Sequence, residues 1–118
     1  MNYLFYLYNV IALEIVFKDQ LLLDLYSGKR TNDQHFKSNP LLVRKFQKTI
    51  IKISAIESFN LISQNRGLNY EKLKGKLMGY SSVRIDRKYR LIINEVYDEI
   101  IPQKIKYLEI VEISNHYS

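Results

Sequence analysis

Residues 70–93 read YEKLKGKLMGYSSVRIDRKYRLII, and the alternation within this stretch decides the fold. From Tyr80 to Ile85 and again from Tyr89 to Ile93 the residues follow a period of two, as in a strand with one buried face. Asp86-Arg87-Lys88 separates the two runs and reads as the turn of a β-hairpin. Tyr70 to Leu73 reads as a shorter strand before Gly75. Lys106 to Ile113 reads as the last strand, after a loop containing Pro102. The chain is therefore expected to end in an antiparallel sheet.

Upstream the period changes. Val43, Phe46, Ile50 and Ile53 recur at helical spacing and form one apolar stripe, while Arg44, Lys45, Lys48 and Lys52 occupy the opposite, solvated face. Ser38-Asn39-Pro40 supplies the start of that helix, a capping side chain followed by proline at the first helical position. Gln20 to Tyr26 reads as a short helix stopped by Ser27-Gly28, with a polar loop through Gln34 and His35. Ser58 to Gln64 adds a helical turn or two, closed by Asn65-Arg66-Gly67. Leu13 to Phe17 resembles a first strand. Helices gathered early and strands late imply an α+β fold, with N-terminal helices packed on one face of a small, mainly antiparallel β-sheet and the other face free for a ligand.

The chain has 118 residues, 47% of them hydrophobic and 25% charged, which suits a single folded domain spanning residues 1–118. It contains no cysteine, which excludes a disulfide framework and a thiolate zinc site and agrees with a cytoplasmic location. Residues 1–12 are an apolar N-terminal extension, read as an extra strand, a packing arm or an upstream segment. No Lys or Arg precedes Lys18, and Glu14 interrupts the run, so neither a signal peptide nor a membrane span is expected.

The formal charge is +6, and its distribution is uneven. Lys72, Lys74, Lys76, Arg84, Arg87, Lys88 and Arg90 stand against the single acid Asp86 within residues 72–90, while the rest of the chain cancels at eleven against eleven. Such a local excess is the electrostatic footprint of a phosphate-binding face. Strand geometry puts Ser82 and Arg84 on one side of the sheet and Val83 and Ile85 on the other. Lys72 and Lys74 alternate with Glu71, Leu73 and Gly75, so three strands are expected to aim cations at one surface. Arginine is suited to that surface because its planar fork holds phosphate oxygens in two-point contact.

The terminal Ser114-Asn115-His116-Tyr117 follows the last strand. A histidine exchanges a proton near neutral pH and a neighbouring tyrosine hydroxyl orients hydrogen bonds. RNA cleavage needs little more, because the ribose 2′-OH is an internal nucleophile and the protein has only to position the strand, move protons and stabilise phosphate charge. Lys74, Arg84 and Arg90 are the candidate stabilisers, and His116 or Tyr117 the proton-transfer group. His35 reads as a surface residue. With two distant histidines, no metal site and no cofactor are expected.

Taken in order, Tyr70-Glu71-Lys72-Leu73-Lys74-Gly75, Ser82-Val83-Arg84-Ile85, Tyr89-Arg90-Leu91 and Glu112-Ile113-Ser114-Asn115-His116-Tyr117 resemble the RelE/ParE superfamily of bacterial type II toxins, closest to its HigB-like branch. The resemblance covers residues 13–118. It implies a RelE-like fold and a ribosome-dependent mRNA endonuclease that cuts by metal-independent 2′-OH attack. It also implies a cognate helix-turn-helix antitoxin, with a dimer of toxin–antitoxin heterodimers as one assembly. Carried over by motif, Lys74, Arg84, Arg90, His116 and Tyr117 are catalytic, with Lys72, Lys76, Arg87 and Lys88 binding RNA. Some HigB proteins reverse the order of the terminal pair, so both His116 and Tyr117 stand as proton-transfer candidates. A ParE-like DNA gyrase poison and an inactive RNA-binding module are the alternative readings.

Overall fold

The computed structural model describes residues 14–56 and 61–115. Strand β1 (Ile15–Phe17) leads into helices α1 (Gln20–Ser27), α2 (Gln34–Lys37) and α3 (Pro40–Ser54). Strands β2 (Glu71–Lys72), β3 (Ser81–Arg84), β4 (Arg90–Tyr97) and β5 (Ile105–Ser114) follow, with a 3₁₀ turn over Gly75–Leu77. The sheet runs β1-β5-β4-β3-β2; among the described residues only β1 and β5 pair in parallel. The architecture is the expected α+β one, RelE-like, with the helices against a mostly antiparallel sheet. The apolar segment 1–12, Leu13, the start of the turn expected at Ser58, and His116 and Tyr117 lie outside the described residues.

The apolar stripe of α3 explains where the core sits. Phe46, Ile50 and Ile53 are buried and meet Leu22 and Leu25 of α1 above Val83, Leu91, Ile93, Leu108 and Ile110 of the sheet. Val43 packs at the margin. Truncating a fully enclosed ring such as Phe46 costs about 3–5 kcal/mol.

Two local expectations are corrected. The segment around Gln34 and His35 is helical, because the Asp33 carboxylate accepts the Phe36 N–H at 3.2 Å and nucleates a turn. The start of α3 is where Pro40 puts it, but Asn39 does not cap: its side-chain amide turns back to donate to the His35 carbonyl and to Ser38 Oγ. Helix α1, by contrast, is capped at both ends, by Asp19 accepting the Leu22 N–H at 2.9 Å and by Gly28 at φ 78°.

Between Leu61 and Asn69 the chain descends in tight turns, each closed by an N–H donating three residues back, as from Gln64 to Leu61 and from Leu68 to Asn65. Ile62 and Leu68 anchor this descent in the core. It ends at Asn69, whose φ of 44° redirects the chain into β2.

Candidate nucleic-acid interface

Residues directly opposite in an antiparallel pair point to the same side of a sheet, so the register fixes which side chains meet. Val83 pairs with Leu91 and Ser81 with Ile93, on the helix side. Arg84 pairs with Arg90, and Arg90 with Ser114, on the far side. Glu71 pairs with Ser82 and therefore joins the arginines, whereas Lys72 pairs with Ser81 and turns to the helix side. Three strands do not aim cations at one surface, as the alternation suggested. β3 and β4 bring arginines, and β2 brings a carboxylate.

The far face is also less open than expected. Ser82 and Ile92 are fully buried and Arg90 is 9% exposed. Arg90 Nε donates to Ser82 Oγ at 2.8 Å, and its Nη2 donates to the Asn69 and Ser82 carbonyls. Glu71 lies 4.0 Å from the same Nη2. The guanidinium is thus held from several directions. Arg84 is exposed, its Nε donating to the Asp86 carbonyl at 3.2 Å. With Asn69, Asp86 and Arg87, the two arginines enclose a polar pocket of about 300 Å³.

Asp86 is the acid in this lining, and it organises the turn. Its Oδ1 accepts the N–H groups of Lys88 at 2.9 Å and Tyr89 at 2.7 Å, and its Oδ2 lies 3.7 Å from Lys45 Nζ. Arg87 and Lys88 are exposed at the hairpin tip, with the Lys88 ammonium 5.7 Å from the centre of the Tyr89 ring. Lys74 precedes the 3₁₀ turn and Lys76 lies within it, both exposed. Lys72 instead lines a separate cavity with Tyr80, Glu95 and Tyr97.

Beside Lys72, one carboxylate collects three hydroxyls. Tyr70 donates to Glu95 Oε2 at 2.8 Å, Ser81 donates to the same oxygen, and Tyr97 donates to Oε1 at 3.2 Å. Burial, with this carboxylate alongside, pushes the Tyr70 phenol up to about 12. The cluster ties the turns before β2 to the middle of β4.

Glu71 and Asn69 belong to the arginine site although neither stood out as a candidate in the sequence. The signal for Glu71 was its alternation with Lys72, which needs the β2–β3 register before it assigns a face. His35 is exposed as expected, but its Nε2 lies 3.4 Å from the Tyr89 hydroxyl. His116 and Tyr117 follow the described chain, which ends beside the site because Ser114 pairs with Arg90. Among the described residues no cluster of three His, Cys, Asp or Glu is placed to hold a metal, and no helix is long and apolar enough to cross a membrane.

Helices on one face of this sheet, and an arginine pair where its last strand ends, define a RelE/ParE-type toxin fold. The family model for HigB-like toxins, described as the RelE-like toxin of type II toxin-antitoxin system HigB, matches residues 15–114. The chain belongs to that family, within the RelE/ParE superfamily. Among solved structures it is similar to the YoeB/ParE toxin from Agrobacterium tumefaciens, at 18% identity and a TM-score of 0.51 over 89% of this chain and 100% of that one. It is also similar to the YoeB dimer from Staphylococcus aureus, at 25% identity and a TM-score of 0.47 over 90% and 99% of the two chains. The YoeB-YefM complex from the same organism matches at 24% identity and a TM-score of 0.45 over 89% and 98%. The first of these likenesses concerns the fold alone. No curated protein matches the chain.

Proposed function

We propose that this chain is a ribosome-dependent mRNA endonuclease, the toxin of a type II pair of the HigB-like branch, restrained by a cognate helix-turn-helix antitoxin. The observation that carries the reading is the Arg84–Arg90 pair on a polar pocket beside the end of β5. Two guanidiniums there suit a phosphate whose charge rises as it is attacked. Arg90 is pre-oriented by Ser82 and Asn69, so it needs little reordering to hold that charge.

The ribose 2′-oxygen attacks the adjacent phosphorus. A P–O2′ bond forms, the P–O5′ bond breaks, and the products are a 2′,3′-cyclic phosphate and a 5′-hydroxyl. The 2′-OH proton passes to a base and the leaving 5′-oxygen receives one. Glu71, His116 and Tyr117 are the candidates for these transfers. Glu71 shares the face of Arg90, and His116 follows Ser114 by two residues, a reach of roughly 7 Å of extended chain. Lys74 and Lys76 bind the strand electrostatically beside the turn. No metal enters the route.

The test is primer extension on mRNA translated with bacterial ribosomes and purified toxin. Wild type is expected to give cuts at fixed codon positions, and Arg84→Ala to lower their rate about 100-fold or more with an unchanged circular dichroism spectrum. Intact transcripts together with DNA breakage would replace this reading with gyrase poisoning. Undiminished cutting by a folded Arg84→Ala variant would remove Arg84 from the site.

A further inference from the structure

The arginine pocket is tied to the helix layer through Asp86. Arg84 Nε donates to the Asp86 carbonyl at 3.2 Å, and a guanidinium is planar and rigid, so a bond at Nε sets the direction of both Nη groups. That carbonyl is held in place by the Asp86 side chain. Its Oδ1 accepts the N–H groups of Lys88 and Tyr89, closing the turn on the following residues as aspartate side chains do. Its Oδ2 faces Lys45 Nζ at 3.7 Å, across the layers on α3. Lys45 is itself anchored, because the neighbouring Phe46 is fully buried in the core and Thr49 Oγ1 donates to the Lys45 carbonyl at 2.8 Å.

We propose that Lys45 and Asp86 are a positioning pair for the Arg84 guanidinium, Asp86 acting through Arg84 and Lys45 acting through Asp86. The two arginines of the pocket differ in what holds them. Arg90 is fixed by Ser82 and by the Asn69 carbonyl, with Glu71 alongside. Among the described residues, the Arg84 side chain makes a single hydrogen bond, the one at Nε. Its aim therefore depends on where the Asp86 carbonyl stands. The backbone of Arg84 is already secured, its N–H donating to the Leu68 carbonyl at 2.6 Å, so what remains to be set is the side chain. A half-exposed ion pair such as Lys45–Asp86 contributes little to stability. Its consequence is direction: it joins the hairpin tip to a helix that the core holds fixed. The pair rests on the reading of Arg84 as a phosphate-binding residue and extends that site into the helix layer.

In Lys45→Met the maximal single-turnover rate of mRNA cutting is expected to fall about tenfold, with the half-saturating ribosome concentration and the melting temperature unchanged. Lys45→Arg, which keeps the cation, is expected to restore the rate. Asp86→Asn keeps the Oδ1 acceptor but removes the charge, and is expected to behave as Lys45→Met does. In an Arg84→Ala background, Lys45→Met is expected to change the rate no further, because the pair acts only through Arg84. The Arg84 Nε–H resonance of the isotope-labelled full chain, titrated with inorganic phosphate, gives a reading independent of cleavage. Lys45→Met is expected to broaden it and to weaken phosphate binding. These phosphate effects in a chain that cuts no RNA would remove the cleavage reading and leave the positioning pair standing. An unchanged rate and resonance in Lys45→Met, an equal loss of rate in the Arg84→Ala background, or a loss that appears only in the half-saturating concentration and vanishes at high salt would each overturn the proposal.

Discussion

Arg84 and Arg90 sit opposite each other on neighbouring strands, yet their surroundings assign them different sensitivities to mutation. Arg90 is 9% exposed and satisfies Ser82 and the Asn69 carbonyl. Arg90→Ala leaves those acceptors unpaired, and urea unfolding is expected to show a loss of about 1–3 kcal/mol. Arg84→Ala, at an exposed position, is expected to stay within about 0.5 kcal/mol of wild type. A loss of activity in Arg84→Ala therefore reports on chemistry, whereas the same loss in Arg90→Ala mixes chemistry with folding. Equal unfolding midpoints for the two variants would contradict the burial argument. Tyr70 gives a second residue-scale expectation. Its phenol rises from 10.0 to about 12 in the folded chain, so between those values the unfolded chain has released its proton and the folded chain has not. Folding stability from this group is complete below pH 10 and is lost as pH climbs through 12. Urea midpoints of wild type minus Tyr70→Phe, followed from pH 9 to pH 12, are expected to shrink across that window; a constant difference would show that Tyr70 titrates normally.

At the scale of elements, the two longer helices begin by different means. Asp19 accepts the Leu22 N–H at 2.9 Å, so Asp19→Ala is expected to cost about 1 kcal/mol. Asn39 makes no such bond, and Asn39→Ala is expected to cost less than about 0.5 kcal/mol because Pro40 already fixes the first helical turn. Thermal melts of the two variants, read together, check this; a larger loss at Asn39 would restore it as a cap. The comparison also shows what sequence reading resolves. The stripe of α3 and the hairpin around Asp86 were legible because each follows from a short-range period that burial enforces. The direction of the Asn39 side chain was not, since Ser38, Asn39 and Pro40 satisfy the capping pattern whichever way the amide turns. The face of Lys72 was not legible either. Alternation separates Lys72 from Glu71 but assigns neither a side until Glu71 pairs with Ser82. Likewise nothing local announces Glu95 as the partner of Tyr70, 25 residues away.

Across the whole molecule, the basic excess of residues 72–90 divides into parts that do different work. Arg84, Arg87 and Arg90 line one pocket, Lys72 faces the opposite layer, and Lys88 projects at the hairpin tip. Charges at a tip act at long range within a Debye length of roughly 8 Å at physiological salt, and raise the rate of encounter with a polyanion more than they stabilise any one transition state. The variant Lys88→Gln is therefore expected to slow association with ribosomes about twofold to threefold at low salt and to associate nearly as fast as wild type at high salt, where screening removes the difference. Single-turnover cutting of mRNA already bound is expected to be unchanged. Arg84→Ala should show the reverse, normal association and slow cutting, because its exposed guanidinium belongs to the pocket. Stopped-flow association at several salt concentrations, paired with single-turnover cleavage, separates the two roles. If the tip variant lost cutting in the bound state, Lys88 would belong to the pocket chemistry with Arg84, and steering would fall to the lysines around the 3₁₀ turn.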